Sequence, residues 1–216
     1  MHTNLHSLIQ IIYKALGNKL PGISAHEKMS PYKRKTAKEA ISSEDSLKLA
    51  SVLILFYEKK GAVYFILIKR TDYTGTHGGQ ISFPGGKNEQ GENLKETALR
   101  ETEEEIGINK NDITVLGELT SVYVPPSNFL ISPFVGYLDQ EPLFVPNARE
   151  VEKIIEVPLS ELLDDNNVKT KKVPLTKYAK NNLELEVPYF ELQFQTVWGA
   201  TAVILSELKD LLTAKK

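Results

Sequence analysis

The chain has 216 residues, of which 41% are hydrophobic and 25% charged, and its formal net charge is −2. Such a chain fits one globular domain with an extension, or two very small domains, and its near-neutral charge gives no electrostatic basis for binding nucleic acid. It has no cysteine, which excludes disulfides, thiol catalysis and zinc–thiolate sites and favours a reducing compartment. Met1 to Ser7 lack a basic region followed by an apolar run, and no apolar stretch approaches the roughly 18 residues of a membrane span. The expectation is a cytoplasmic protein that engages neither nucleic acid nor membrane.

Leu5, Leu8, Ile9, Ile12 and Leu16 recur at helical spacing before Gly17, which predicts an N-terminal amphipathic helix. It can cover its own core or that of a partner copy, so a homodimer stays open. Residues 18–45 are polar and carry Pro21 and Pro31. They read as an arm with a short helix near Thr36–Ile41, and the basic run Lys33-Arg34-Lys35 reads as solvated surface. Ala50–Tyr57 and Val63–Ile68 have the composition of buried strands joined by a turn at Glu58–Gly61. Five glycines between Gly75 and Gly86 predict a loop, with a short strand at Gln80–Phe83.

The next helix has clear ends. Asn93 followed three residues later by Glu96 forms a capping box, and Gly107 is a C-terminal stop, so the helix spans 94–106. Ala98, Leu99, Thr102 and Ile106 make its sheet-packing face, and the acidic residues are expected to point away from it. Strands follow at Ile113–Val124 and Leu130–Leu138, linked by a turn through Pro125, Pro126, Ser127 and Asn128. A short helix is predicted at Pro158–Leu163, strands at Val187–Phe190 and Leu192–Val197, and a closing helix at Ala200–Thr213. The order implies a mixed α/β fold with hairpins rather than a regular βαβ alternation.

Glu101, Glu104 and Glu105 lie three and four residues apart on the 94–106 helix, with Cβ atoms roughly 5–6 Å apart. Like charges so placed destabilise a helix by about 0.2–0.5 kcal/mol per pair, and a hard divalent cation such as Mg²⁺ or Mn²⁺ would turn that cost into a binding site. Gly85 and Gly86 just upstream let an anionic group approach the backbone. The chemistry that follows is metal-assisted hydrolysis of a phosphoanhydride, with one glutamate free to take a proton from water. Arg100 can pair with Glu96 and Glu104, four residues to either side, and so hold a glutamate in place. A further acidic residue outside the helix can contribute, with Glu150, Glu186 and Glu191 unranked. Glu104→Gln and Glu105→Gln are both expected to remove activity with little loss of folding.

The spacing Gly86, Glu92, Arg100-Glu101-Thr102, Glu104-Glu105, Gly107-Ile108 resembles the signature of the Nudix hydrolases, with Thr102 at an aliphatic position as its one departure. The resemblance implies an α/β/α sandwich with a mixed sheet, a Nudix domain over residues 46–216 and a helical extension over 1–45. It implies Mg²⁺ or Mn²⁺ on Glu101, Glu104 and Glu105, one of them often serving as base, with Glu92 and Arg100 in support and a nucleoside diphosphate derivative as substrate. Upstream, Arg70, Gly79, Ile81 and Phe83-Pro84-Gly85-Gly86 resemble the extra signature of the coenzyme A diphosphatase branch. Thr71 and Gly75 depart from it, the latter standing where a second arginine is expected. Tyr123–Tyr137 and Val197–Ala202 also resemble this branch. The implied reaction is cleavage of coenzyme A or its thioesters to 3′,5′-ADP and 4′-phosphopantetheine, with Arg70, Gly85, Gly86 and Lys87 contacting substrate. NADH, ADP-ribose or a nucleoside triphosphate is the alternative substrate, and a non-catalytic ligand-sensing domain the alternative of another class. His77 is expected to be a loop residue, and Trp198 a packing anchor rather than a stacking platform.

Overall fold

The computed structural model describes residues 4–43, 46–71, 79–174 and 184–214. Gly75 and His77 lie outside the described residues. Three helices open the chain, α1 (Leu5–Leu16), α2 (Ile23–Lys28) and α3 (Ala37–Ser43). Strands β1 (Lys48–Lys59), β2 (Ala62–Arg70), β3 (Ile81–Ser82) and β4 (Gly85–Lys87) lead to helix α4 (Leu94–Ile106). Strands β5 (Thr114–Glu118), β6 (Val122–Val124), β7 (Phe129–Tyr137) and β8 (Val151–Pro158) lead to α5 (Leu159–Leu163). Strands β9 (Val168–Pro174), β10 (Glu184–Leu192) and β11 (Gln195–Val197) precede the closing helix α6 (Gly199–Thr213).

β1 is the axis of the main sheet. It runs parallel to β7 and antiparallel to β2 and β4. β2 carries β3 and β8, and β7 carries β5 and β6. Side chains alternate across the strands and so build two cores. Leu53, Leu55 and Tyr57 of β1 and Ile66 and Ile68 of β2 pack with Ala98 and Ile106 of α4. Ile54, Phe56, Phe65 and Leu67 face the other way and pack with residues of α1 and α6. Burying each such side chain stabilises the fold by about 1.5–3 kcal/mol. The result is the α/β/α sandwich with a mixed sheet.

Leu5, Leu8 and Ile12 of α1 join the second core, so the N-terminal helix covers its own domain. That removes the argument for a dimer in which it covers a partner. α2 is absent from the sequence reading because six residues carry too little periodicity to announce a helix. It is held from outside. Glu207 of α6, fully buried, accepts hydrogen bonds from Gly22 N–H at 3.1 Å, His26 Nε2 at 2.9 Å and Thr120 Oγ1 at 2.7 Å. Ser206 Oγ donates to Ala25 O at 2.7 Å.

The stretch 113–124 is two strands rather than one. Thr120 N–H is given to Glu207 at 3.1 Å instead of to a neighbouring strand, and the ladder breaks there. β8 and β9 were not predicted. β9 is mostly exposed and lysine-rich, and exists through its register with β10, where Lys169 pairs with Glu191 and Lys172 with Glu184. Lysines on such a strand also discourage edge-to-edge association.

Candidate active site

The site is built where β4 lies on β1 and faces α4. Gly85 sits at φ +150, and a Cβ there would fall 2.3 Å from Ser51 O and 2.6 Å from Val52 Cα. Only glycine lets this strand approach so closely. The approach aims Gly85 N–H at Glu105 Oε2, 2.8 Å away. At Gly86 a Cβ would fall 2.3 to 2.5 Å from the carboxylate atoms of Glu101. The carboxylate therefore occupies the space a side chain would fill. The two glycines serve two different glutamates.

α4 forms over the predicted residues. Asn93 Oδ1 accepts from Glu96 N–H at 3.0 Å, Glu96 Oε2 accepts from Asn93 N–H at 2.8 Å, and Gly107 closes the helix at φ +73. Thr102, the departure from the signature, is buried and gives its hydroxyl to Ala98 O at 2.7 Å. Packing is preserved there without an unsatisfied polar group.

The acidic triplet does not share one outward face. Glu105 is fully buried, held by Gly85 N–H and by Arg70 Nη1 at 2.8 Å. Burial pushes its carboxyl up to about 7, against the opposing pull of Arg70 and Gly85, and the charges of Glu101 and Glu150 add to the rise. Glu101 is half-buried and also raised by burial. Glu104 stays exposed, 53% by side chain. A helix-wheel reading missed this because the donors that make burial tolerable lie 20 and 35 residues upstream.

Arg100 is the hub. Its Nε and Nη2 donate to the two oxygens of Glu92 at 3.0 and 2.9 Å, a bidentate clasp. Nη1 donates to Glu101 Oε1 and to Glu104 Oε2, each at 3.0 Å, and Nη2 also reaches Lys87 O at 3.2 Å. Arg100 and Glu104 pair as predicted, whereas Glu96 is spent on the helix cap and Glu92 takes its place. Arg100 holds Glu92 down to about 2, helped by the Glu89 N–H and the Thr97 hydroxyl.

Of the three acidic residues left unranked by sequence, Glu150 is the one whose charge reaches the α4 glutamates, Glu101 and Glu105. Its backbone is tied down by Glu150 N–H to Asn147 O at 3.0 Å and Thr71 N–H to Glu150 O at 3.0 Å. Glu191 is paired with Lys169, and Glu186 stands on β10 in register with Lys172.

Among the described residues no three acidic or histidine side chains form a ready-made ligand cluster. Glu105 is engaged by Arg70 and Gly85, and Glu101 and Glu104 share Arg100. The donor set nonetheless suits a hard cation. Five carboxylates (Glu92, Glu101, Glu104, Glu105, Glu150) are set against two guanidiniums (Arg70, Arg100), and two of the five are pushed toward protonation. Mg²⁺ or Mn²⁺ would relieve that surplus charge.

A pH dependence follows. The Glu105 carboxyl has an ordinary value of 4.5 and sits at about 7 in the fold. An acid raised on folding opposes folding wherever the unfolded chain has ionised it first. The metal-free protein is therefore expected to lose stability as pH rises from 4.5 to about 7, by about 3 kcal/mol from this group at ~1.4 kcal/mol per pH unit. Urea titrations in EDTA at pH 5 and 7.5 check it: Glu105→Gln should lack the part of the loss that this carboxyl causes.

Beside the glutamates opens a cleft of about 400 Å³, lined by Arg70, Gly85, Gly86, Lys87, Ser127 and Trp198 among others. All four predicted substrate-binding residues thus meet in one cavity, although Arg70 is also committed to Glu105. Trp198 departs from the packing-anchor reading. It is 38% exposed, and the Lys171 ammonium lies 4.6 Å from its ring centroid in a cation–π contact.

A NUDIX domain model matches residues 47–178. The chain belongs to the Nudix hydrolase family. It is 33% identical over 190 residues to Nudix hydrolase 3 of Caenorhabditis elegans, an alignment covering 80% of this chain and 76% of that one. It is 35% identical over 151 residues to the uncharacterized Nudix hydrolase NudL of Yersinia enterocolitica, covering 66% and 71%. Among solved structures, a MutT/nudix family protein from Enterococcus faecalis superposes with TM-score 0.52 at 16% identity, covering 85% of this chain and 72% of that one. The MutT protein of Methanosarcina mazei gives 0.50 at 19% identity, covering 80% and 99%. The Nudix fold and an enzyme acting on phosphoanhydride bonds are thereby established. Among the described residues no helix is long and apolar enough to cross a membrane.

Proposed function

We propose that this Nudix hydrolase cleaves the diphosphate of coenzyme A or its thioesters, giving 3′,5′-ADP and 4′-phosphopantetheine or its acyl form. The observation that carries the reading is the 400 Å³ cleft, which starts at the Phe83–Gly86 approach and continues along an apolar wall to Trp198. A substrate long on both sides of its diphosphate fits such a cavity better than a compact triphosphate does. In this reading residues 46–216 are the catalytic domain and residues 1–45 an extension that contributes to it.

The diphosphate lies beside β4, where Gly85 and Gly86 line the cleft, and Lys87 offsets part of its charge. Mg²⁺ or Mn²⁺ on Glu101, Glu104 and Glu105 would supply positive charge to the phosphate oxygens and acidify the attacking water. Arg100 keeps Glu101 and Glu104 aligned, with Glu92 fixing Arg100 in turn. Arg70 and Gly85 N–H hold the Glu105 carboxyl in place and oppose the rise that burial causes. In this reading Glu104, the exposed carboxylate of the set, or Glu150 accepts the proton of the attacking water.

A second reading keeps the chemistry and changes the substrate to NADH or ADP-ribose. Gly75 favours it, since an arginine is expected there in the coenzyme A branch. A panel of coenzyme A, NADH, ADP-ribose and dGTP, with product identification, separates the two. Coenzyme A should give the highest kcat/KM, EDTA should abolish turnover, and Mg²⁺ or Mn²⁺ should restore it. Coenzyme A among the poorest substrates would refute the first reading, and activity that persists in EDTA would refute the cation's role.

A further inference from the structure

The basic run in the N-terminal arm is not uniform. Lys33 and Lys35 are exposed, but Arg34 between them is half-buried and lines the same cleft as Gly85 and Gly86. Its Nε donates to Ser30 Oγ at 2.7 Å and its Nη1 lies 3.4 Å from Tyr123 O. Its guanidinium carbon lies 5.6 Å from the Tyr32 ring centroid, and Tyr32 also lines the cleft. Both neutral hydrogen-bond partners leave the charge uncompensated. Arg70 is paired with Glu105, and Arg100 with three glutamates. Among the described residues no carboxylate pairs with Arg34, and burial lowers its pKa. A cation withdrawn from water without a counter-charge is costly, and an anion in the cleft would remove that cost.

The position of Arg34 is secured by the fold. Glu207 and Ser206 of α6 clasp Gly22, Ala25 and His26, and Lys28 Nζ pairs with Asp210 at 2.7 Å. This places Ser30 and Arg34 over β6. Gly86 pairs with Ser51 of β1, Ser51 with Ser132 of β7, and β7 with β6, which carries Tyr123. Three strand spacings separate β4 from β6, roughly 14 Å of sheet. Arg34 therefore stands apart from a diphosphate beside Gly85 and Gly86, yet in the same cavity.

We propose that Arg34, backed by Tyr32, binds a second anionic group of the substrate, a phosphomonoester carried on the nucleoside and separate from the diphosphate under attack. The identity of that group rests on the coenzyme A reading, in which it is the 3′-phosphate. The arm is then a specificity element of the active site. Arg34 acts in binding and takes no part in the proton transfers.

Binding of product-like nucleotides tests this without relying on turnover. Isothermal titration of the full chain with 3′,5′-ADP and with 5′-AMP compares two ligands that differ by the one phosphate. The wild type should prefer 3′,5′-ADP by about 10-fold or more, the scale of a hydrogen bond to a charged group. Arg34→Gln should bring that ratio close to one, and Arg34→Lys, which keeps the charge but not the fork, should retain part of it. No preference in the wild type, or an undiminished preference in Arg34→Gln, would overturn the proposal. A preference for 3′,5′-ADP that depends on Arg34, in a protein that does not cleave coenzyme A, would support the subsite and refute the substrate reading alone.

Discussion

Glu101→Gln is expected to lower kcat/KM by about 10²–10³-fold, the scale of losing several kcal/mol of charge stabilisation, while leaving the fold nearly as stable as before. The amide keeps an oxygen where Glu101 Oε1 accepts from Arg100 at 3.0 Å, and it keeps the volume that fills the space above Gly86. What it removes is the negative charge beside Gly86. Steady-state kinetics at saturating Mg²⁺, with urea titration beside them, separate the two effects. A variant that turns over at the wild-type rate would show that Glu101 holds no cation. Glu104→Gln should behave similarly, because its side chain is exposed and its removal leaves no buried group stranded. Glu105→Gln differs from the simple expectation of lost activity with unchanged folding. It removes a carboxyl that burial has raised to about 7, so the metal-free variant should be the more stable of the two at pH 7.5 even as activity is lost.

The parts of the site that sequence made legible are those written in local grammar. Asn93, Glu96 and Gly107 cap one helix from within its own turns, so both ends of α4 could be placed from neighbouring residues alone. The spacing from Gly86 to Ile108 was legible for the same reason. What escaped was set by distant partners. Gly85–Lys87 reads as loop, since glycine carries no strand preference, yet it is a strand because β1 offers a ladder that no larger residue could approach. Glu105 reads as an outward acid until Arg70, on another strand, is brought to it. β8 mixes buried and exposed positions without strict alternation and becomes a strand by pairing with β2. Arg34 reads as one charge in a solvated run, and only the clasp between α2 and α6 turns it toward the cleft.

Replacing Arg100 with alanine should have the largest effect on the fold and the site together. Its guanidinium is the shared donor for Glu92 and Glu101, whose side chains are 15% and 14% exposed, and for Glu104. Removing it leaves two poorly hydrated carboxylates beside Glu105 without their counter-charge. The expected loss is about 3 kcal/mol of stability, at the lower end of the cost of breaking a buried pair, and at least ~10²-fold in kcat/KM as Glu101 loses its alignment. Arg100→Lys should recover little, because an ammonium cannot make the two-point bond to Glu92 while reaching Glu101. Acid titration gives an independent readout. Glu92 is held down to about 2 from an ordinary 4.5, so in the wild type its contribution is present above pH 4.5 and fades as pH falls toward 2. In Arg100→Ala that acid-dependent part should shrink, because the largest cause of the depression is gone. Equal steepness of the acid transition in the two proteins would mean that Arg100 is a surface residue of the helix and not the element that holds the acidic site in register.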